Sequence, residues 1–213
     1  MMIVSLSILN IEENDRKNKI KEFMQAGDNW IHFDVMDGAF VENKTFKYEV
    51  VKEVKEYCSL FKDVHLMTYN PLEFINEYKD AGADQITFHY ESVKKEEVGY
   101  IINEIISKGL KVGLSVKPGT DIKEIEKFLP LLDLVLVMSV EPGKGGQKFM
   151  ESSLDKIKWL SERKKDNNYL ISVDGGINYE TSKLVKNAGC DVVVVGTYLT
   201  RDIIKKEKVL DLI

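Results

Sequence analysis

Two histidines and two aspartates have the residue types and the spacing expected of ligands for a divalent metal ion. His32 and Asp34 flank Phe33 in an apolar run, so an extended strand would place both side chains on one face. His65 and Asp174 lie near the ends of two later apolar runs. Two imidazoles and two carboxylates suit Zn²⁺, Fe²⁺, Mn²⁺ or Co²⁺ and do not separate these ions. We predict one divalent ion held by these four residues, with Zn²⁺ as the first choice.

Each of these residues also has a purely structural interpretation. Aspartate is a common N-cap, so Asp34 or Asp174 alone would equally suit the start of a helix. His65 alone would suit a buried polar side chain. The placement of all four at strand ends favours the metal interpretation. His89, the third histidine of the chain, suits either a residue that supports the ligands or one that packs.

Three glycine-rich turns follow the last apolar runs and are typical of a phosphate site. They span residues 142–147, 174–177 and 196–197. Glycine lets backbone N–H groups close on an anion, and a helix N-terminus adds positive potential. A single turn of this kind also suits an ordinary tight connection, but three in succession favour phosphate binding. The predicted phosphate-binding residues are Gly143, Gly145, Gly146, Gly175, Gly176, Gly196 and Thr197.

Three methionines, Met36, Met67 and Met138, end apolar runs beside the predicted ligands. Methionine often fills irregular gaps in a core. The alternative is a polarizable, water-poor wall over a negative charge that develops during a reaction. The position of the three residues favours the wall.

Eight short, β-branched apolar runs recur along the chain and are typical of buried parallel strands. The runs are Ile3–Leu9, Trp30–Val35, Leu60–Met67, Gln85–His89, Lys111–Val116, Leu134–Val140, Tyr169–Val173 and Asp191–Val195. Amphipathic stretches of helical length lie between them. Several of these stretches end in a glycine that suits a left-handed helix terminus, namely Gly27, Gly82, Gly109 and Gly189.

Eight strands alternating with helices fit either a closed (β/α)8 TIM barrel or an open doubly wound sheet. No G-x-G-x-x-G follows the first strand, which counts against a dinucleotide-binding sheet. Polar residues gather at or just after the strand ends: Ser7, His32, Asp34, His65, His89, Lys117, Glu141, Asp174 and Thr197. In a barrel these ends meet at one mouth, where activity is found. We therefore predict a single (β/α)8 barrel domain over residues 1–213.

Composition excludes several classes of partner. The 213 residues carry a net charge of −5 with both signs mixed, so no basic stripe predicts nucleic acid or membrane-surface binding. The longest apolar runs are far shorter than the roughly 20 residues of a membrane-spanning helix. No signal peptide is expected. Cys58 and Cys190 lack metal or redox spacing and are expected to be reduced thiols, which favours a cytoplasmic protein.

Five segments resemble the ribulose-phosphate 3-epimerase family. They are Ser5–Leu9, His32–Val41 followed by Asn43, Val64–Met67, Val137–Phe149 and Val173–Ile177. They occur in the family's order and cover nearly the whole chain, and the His-x-Asp-Val-Met-Asp-Gly block is highly specific. The resemblance implies a (β/α)8 fold, a homo-oligomer (a dimer or a hexamer) and a place in the pentose phosphate pathway.

The resemblance also implies an activity, the metal-dependent epimerisation of D-ribulose 5-phosphate to D-xylulose 5-phosphate at C3. Asp34 and Asp174 would act as acid and base, and both would also bind the metal with His32 and His65. The family's sugar pocket corresponds to Ser7, Met36, His65, Met67 and Met138. The proton at C3 lies next to a carbonyl, so its removal gives an enediolate that a metal ion stabilises as a Lewis acid. Epimerisation then needs two carboxylates on opposite faces of this intermediate.

Three departures from the family pattern leave alternatives open. Asn10, Glu42 and Lys144 stand where the family usually has a small or acidic residue, proline and an aromatic residue. They leave D-allulose 6-phosphate as an alternative substrate. A decarboxylase or aldolase of the same barrel superfamily would carry Asp-x-Lys-x-x-Asp, but Asp34–Asp37 lacks the lysine. A non-catalytic phosphosugar binder would have lost a ligand, an acid or a base, and none is lost.

Overall fold

A closed barrel of eight parallel strands forms the centre of the protein. The computed structural model describes residues 2–27, 29–45 and 47–213, with Asp166 described by its backbone only. The strands are β1 (Ile3–Ser7), β2 (Trp30–Met36), β3 (Phe61–Met67), β4 (Gln85–His89), β5 (Lys111–Val116), β6 (Leu134–Met138), β7 (Leu170–Asp174) and β8 (Val192–Val195). Each strand pairs with the next, and β8 pairs with β1. The predicted (β/α)8 TIM barrel is confirmed, and each predicted strand agrees with the observed one to within two residues at either end.

Helices connect the strands. The α-helices are α1 (Glu13–Met24), α2 (Tyr48–Lys55), α3 (Leu72–Ala81), α4 (Val98–Ser107), α5 (Ser153–Arg163), α6 (Tyr179–Ala188), α7 (Thr197–Thr200) and α8 (Lys206–Leu210). The 3₁₀ helices span Tyr90–Ser92, Ile122–Leu131 and Lys164–Asp166. Gly82 and Gly189 end α3 and α6 in the left-handed conformation, with φ of 105° and 104°. Gly109 follows the C-cap of α4 with φ of 76°, so this predicted terminus is confirmed as well. Gly27 also has positive φ but lies two residues beyond Gln25, the C-cap of α1, so it does not itself end that helix.

Alternate residues of a strand face opposite sides of the barrel wall. In β8, Val193 and Val195 pack in the large cluster that the helices complete. Val192 and Val194 belong instead to a separate apolar cluster with Leu136 of β6. Both faces of β8 are buried, which explains its unbroken run of apolar residues.

The same alternation decides where the polar residues of the strands lie. Ile31 and Phe33 of β2 pack in the cluster with the helices, as does Val173 of β7. Their neighbours His32 and Asp174 must then face the interior of the barrel. The β-period thus directs the predicted ligands toward the barrel axis.

Cys58 and Cys190 are both free and buried, in line with the expectation of reduced thiols. Burial raises the pKa of Cys190 to about 12, so its thiol stays protonated at neutral pH. Among the residues that the structure describes, no helix is both long and apolar enough to cross a bilayer.

Candidate active site

Four donor atoms converge toward the carboxyl ends of β2, β3 and β7. Nε2 of His32 lies 3.3 Å from Nδ1 of His65, and each of these nitrogens lies 3.4 Å from Oδ1 of Asp34. Oδ2 of Asp174 lies 4.0 Å from Nδ1 of His65. One ligand atom from each residue falls within 4.8 Å of those of the others. The structure therefore brings together the four residues that the sequence predicts as metal ligands.

This donor set fits a divalent metal ion in chemistry and in size. Tetrahedral coordination with bonds of about 2.0–2.2 Å holds neighbouring donors roughly 3.3–3.6 Å apart. Three separations in the cluster, 3.3, 3.4 and 3.4 Å, match this spacing. Within the described parts of the chain, no other group of three or more His, Cys, Asp or Glu side chains places its donors so close together.

Asp63 holds His32 from behind the cluster. Its Oδ2 accepts a hydrogen bond of 2.9 Å from Nδ1 of His32. Its Oδ1 accepts bonds of 2.8 Å from Nε2 of Gln85 and from Oγ1 of Thr87. Burial lowers the pKa of His32, but the charges of Asp34 and Asp63 outweigh burial and raise it well above the ordinary value. A metal ion at Nε2 would therefore displace a proton from this ring.

His65 is held by a second imidazole rather than by a carboxylate. Its Nε2 lies 2.9 Å from Nε2 of His89, and Nδ1 of His89 lies 3.3 Å from Oε2 of Glu91. Burial lowers the pKa of His89 to about 4, despite the neighbouring carboxylate of Glu91. His89 is therefore a neutral ring that contacts the predicted ligand directly.

Two aspartates of the cluster have opposite pKa shifts. Burial alone would raise the pKa of Asp34, but the charges and hydrogen bonds of His32 and His65 outweigh burial and lower it far below the ordinary value. Burial and the negative charge of Asp34 together raise the pKa of Asp174 to about 6. One carboxylate is thus held ionised while the other exchanges a proton near neutral pH.

A cavity of about 230 Å³ opens at the same end of the barrel. The predicted catalytic and sugar-binding residues on its lining are Ser7, Asp34, Met36, Met67, Met138 and Asp174. The predicted phosphate-binding residues on its lining are Gly143, Gly145, Gly146, Gly175, Gly176, Gly196 and Thr197. His32 and His65 are fully buried and do not line the cavity. The carboxylates therefore separate the two imidazoles from the open space.

The three predicted methionines lie on two different clusters. Met36 and Met67 pack with Phe40 and Val41 of the loop after β2. Met138 belongs to the apolar cluster inside the barrel. All three sulfur-bearing side chains are nearly buried yet border the cavity. Each of them therefore contributes apolar surface to a cavity whose lining is part polar and part apolar.

The glycine-rich turns need glycine for a geometric reason. Gly176 has φ of 65°, and a Cβ there would lie 2.4 Å from the backbone nitrogen of Phe149. The turn after β7 and the turn after β6 therefore approach each other too closely for any side chain. Ser139 holds the turn after β7, because its single hydroxyl proton is shared between the carbonyl oxygens of Asp174 and Gly175, at 2.8 and 2.7 Å.

Loops around the cavity are tied by polar residues to which sequence reasoning assigned no role. Asp37 accepts hydrogen bonds of 2.8 Å from the backbone N–H groups of Ala39, Phe40 and Tyr69. Nδ2 of Asn43 donates a bond of 2.7 Å to the carbonyl oxygen of Gly143. Asp37 and Asn43 thus link the loop after β2 to the loops after β3 and β6.

A signal for Asp63 was present in the sequence. Asp63 stands two residues before His65 in an apolar run, so the β-period places both on the same face. A buried carboxylate requires a partner, and the partner lies directly across the strand pair, since His32 and Asp63 are opposite each other in the register of β2 and β3. The register itself could not be obtained from the sequence.

Comparison with known proteins decides the family. The model of the ribulose-phosphate 3-epimerase family matches residues 3–200. The chain belongs to this family. The resemblance seen in the sequence is therefore confirmed, and with it the prediction that the chain is an enzyme of the isomerase class.

Curated members of the ribulose-phosphate 3-epimerase family match over nearly their full lengths. The ribulose-phosphate 3-epimerase of Chlamydia muridarum is 36% identical over 215 residues, which cover 98% of this chain and 93% of the relative. That of Bacillus subtilis is 40% identical over 200 residues, covering 92% and 91%. Among solved structures, the tryptophan synthase A-subunit of Pyrococcus furiosus superposes with a TM-score of 0.71 at 18% identity, covering 99% of this chain and 96% of that one. This likeness shows the barrel fold alone.

Proposed function

We propose that the chain epimerises D-ribulose 5-phosphate to D-xylulose 5-phosphate at C3, using a divalent metal ion held by His32, Asp34, His65 and Asp174. Membership of the ribulose-phosphate 3-epimerase family carries this proposal. The convergence of the four donors beside a cavity supports the metal site. Zn²⁺ is the first choice, and Fe²⁺, Mn²⁺ and Co²⁺ suit the same mixed nitrogen and oxygen donors.

Proton transfer is assigned to Asp34 and Asp174. One carboxylate accepts the C3 proton from one face of the substrate, and the other donates a proton to the opposite face. The opposite pKa shifts of the two residues suit this division, because one must be ionised while the other holds a proton. The strands that carry them, β2 and β7, are separated in the barrel by β1 and β8, so they reach the cavity from different sides.

Stabilisation of the enediolate is the part of the chemistry that a metal ion supplies when bound, acting as a Lewis acid toward the developing negative charge. The protein's own contribution is orientation. Ser7 donates a hydrogen bond to Asp34 over 2.7 Å, and Asp63 orients His32. The apolar surfaces of Met36, Met67 and Met138 exclude water from one side of the reacting carbons. We assign these methionines and Ser7, which line the cavity, to the sugar pocket, together with His65, which lies behind that lining.

Phosphate binding is assigned to the turns after β6, β7 and β8. All seven predicted residues line the cavity. Their backbone N–H groups, rather than lysine or arginine alone, would hold the anion. A hydrogen bond of 3.0 Å from Nδ2 of Asn10 to Oγ1 of Thr197 holds the last of these turns in place. The phosphate would then anchor the substrate so that C3 lies beside the two aspartates.

Family membership also supports assembly into a homo-oligomer, a dimer or a hexamer, and a role in the pentose phosphate pathway. We place the chain in the cytoplasm; a relative from rice, 34% identical over 197 residues, is the cytoplasmic isoform of ribulose-phosphate 3-epimerase and supports this location. No nucleic-acid or membrane partner is proposed.

D-allulose 6-phosphate is a second candidate substrate. Asn10 and Lys144, two departures from the family pattern, both line the cavity. A larger substrate would place its phosphate or its extra carbon near these side chains. The position of these two residues on the lining supports this second candidate.

The experiment is a side-by-side measurement of kcat/KM for both sugar phosphates, with Zn²⁺, Fe²⁺ and Mn²⁺ returned separately to the metal-free protein. We expect a preference for D-ribulose 5-phosphate and no activity without metal. A preference for the hexulose above about tenfold, equal to about 1.4 kcal/mol in transition-state binding, would reverse the choice of substrate. Full activity in the metal-free protein would contradict the metal site.

A further inference from the structure

All three histidines of the chain lie in one line of contacts that ends on Glu91. His32 and His65 belong to the donor cluster, whereas His89 lies behind His65 and is not one of the clustered donors. Each of the three rings is completely buried. Because water does not reach them, the position of each ring proton is decided by the neighbouring protein atoms.

The direction of every hydrogen bond in this line follows from Glu91. Its Oε1 accepts hydrogen bonds from the backbone N–H of Lys117 and from Oγ1 of Thr120, as an ionised carboxylate does, and an ionised carboxylate only accepts hydrogen bonds. The proton of a neutral His89 must then sit on Nδ1, which faces Glu91, and its Nε2 carries the lone pair. That lone pair requires a proton on Nε2 of His65. Nδ1 of His65 is left as the lone pair that faces the cluster.

We propose that His89 and Glu91 are positioning residues that fix the tautomer and the orientation of His65 for metal binding. This inference rests on the metal site of the proposed function. The reversed tautomer would place a proton on Nδ1 of His65, the atom that faces Asp34 and Asp174, and this atom could not then bind a metal ion.

Glu91 is itself firmly held on the side away from His89. Its Oε1 accepts hydrogen bonds from the backbone N–H of Lys117, over 2.8 Å, and from Oγ1 of Thr120. Nζ of Lys156 donates bonds of 2.7 Å to the carbonyl oxygens of Lys117 and Pro118, which ties this loop to α5. The carboxylate therefore cannot rotate to accept a different set of donors without breaking several contacts.

His65 and His32 are each supported by a carboxylate on the side away from the donor cluster. The difference is that the imidazole of His89 stands between His65 and its carboxylate. Asp63 accepts directly from Nδ1 of His32 and also receives two side-chain donors. Glu91 accepts from His65 only through His89, and also receives two donors from the loop after β5. In each case an ionised carboxylate with its other oxygen fully occupied decides which ring nitrogen faces the cluster.

Glu91→Gln is the decisive variant, because an amide cannot accept from all three donors. If its oxygen faces Lys117, its NH₂ group faces His89 and favours a lone pair on Nδ1 of that ring. This reverses the tautomers of His89 and His65. Tyr90→Phe is the matched control. Tyr90 is next to Glu91 in the sequence, but its hydroxyl donates a bond of 3.1 Å to Glu124 and does not contact the histidines.

A second pair of variants tests His89 itself. His89→Gln keeps one acceptor for His65 and one donor for Glu91, whereas His89→Leu keeps neither. We expect His89→Gln to retain most of the metal affinity that His89→Leu loses. Equal losses in the two variants, with equal falls in Tm, would mean that His89 only fills space.

Two readouts are measured on each purified full-length variant: Zn²⁺ affinity, by competition with a chromophoric chelator, and the protonated nitrogen of each histidine, by ¹⁵N NMR of the metal-free protein. We expect Glu91→Gln to weaken Zn²⁺ binding by about tenfold to a hundredfold and to move the proton of His65 to Nδ1. Wild-type Zn²⁺ affinity together with wild-type tautomers in Glu91→Gln would overturn the inference alone. Failure of the wild-type protein to bind Zn²⁺ would overturn the proposed function as well.

Discussion

The hydroxyl of Ser7 donates a hydrogen bond of 2.7 Å to Oδ2 of Asp34, which leaves Oδ1 facing the two imidazoles at 3.4 Å each. The two oxygens of this carboxylate are therefore not equivalent. Oδ1 belongs to the donor cluster, while Oδ2 is held at the cavity by Ser7. A carboxylate fixed in this way can bind a metal through one oxygen and take part in proton transfer through the other.

Asp174→Asn should abolish the exchange of the C3 proton with solvent. The amide cannot hold or release a proton at the required pKa, so one of the two faces of the substrate loses its acid or base. We expect kcat to fall by at least about a hundredfold, the usual contribution of a positioned acid or base. Exchange is followed by NMR of the substrate in D₂O. Asp84→Asn, at the opposite end of the barrel strands, is the control, and full exchange in Asp174→Asn would exclude a mechanism with two bases.

The same substitution should change the pH dependence of stability in the metal-free protein. The pKa of Asp174 is raised from 3.8 to about 6, so the stability that its protonated form contributes is complete below about pH 4 and is lost as the pH rises through 6. Relative to Asp174→Asn, the free energy of unfolding of the wild type should fall over this range by up to about 3 kcal/mol. Urea unfolding of both proteins at a series of pH values measures the difference. If the free energy of unfolding of the wild type rose with pH relative to that of Asp174→Asn, the raised pKa of Asp174 would be contradicted.

Gly176→Ala should weaken substrate binding and lower stability. The alanine would require φ of 65° and would place its Cβ 2.4 Å from the backbone nitrogen of Phe149. The turns after β6 and β7 would have to separate, which moves their N–H groups away from the phosphate. Gly109→Ala is the matched control, because Gly109 has φ of 76° but a Cβ there would meet no atom within 4 Å beyond its chain neighbours. We expect both variants to lose about 1–2 kcal/mol from the backbone strain, and only Gly176→Ala to lose more and to raise KM.

Asn43→Ala should loosen the connection between the loops after β2 and β6. It removes the bond of 2.7 Å to the carbonyl oxygen of Gly143, and a net loss of about 0.5–1.5 kcal/mol is expected for one hydrogen bond. If these loops close over the substrate, KM should rise by about two- to tenfold with a smaller effect on kcat. The exposed neighbour Glu42 provides the control in Glu42→Ala. An unchanged KM in Asn43→Ala would show that the connection does not contribute to binding.

The barrel fold and the four proposed metal ligands could be predicted from local sequence. Both depend on the period of the apolar residues and on the order of the strands along the chain. Runs of β-branched residues such as Val192–Val195 report burial of both strand faces. The spacing of two residues between His32 and Asp34 indicates that both side chains lie on the same face of the strand. A barrel then requires strand ends to meet at one mouth, so residues as distant as Asp34 and Asp174 are brought together by fold class alone.

Other relationships depend on which residues stand opposite each other once the strands pair. The contact of His32 with Asp63 follows from the register of β2 and β3, and a shift by one residue would turn each side chain to the other face. The hydrogen bond from Asn43 to the carbonyl oxygen of Gly143 likewise joins loops that are far apart in the sequence.

The sequence by itself therefore determined the fold, the family and the four donors, since periodicity and residue type are local properties of the chain. Only the tertiary structure decided which nitrogen of each histidine faces the donors, because hydrogen bonds from neighbouring strands and loops select it. It also decided that Asp34 and Asp174 differ in pKa, because burial and the distances between charges exist only in the folded protein.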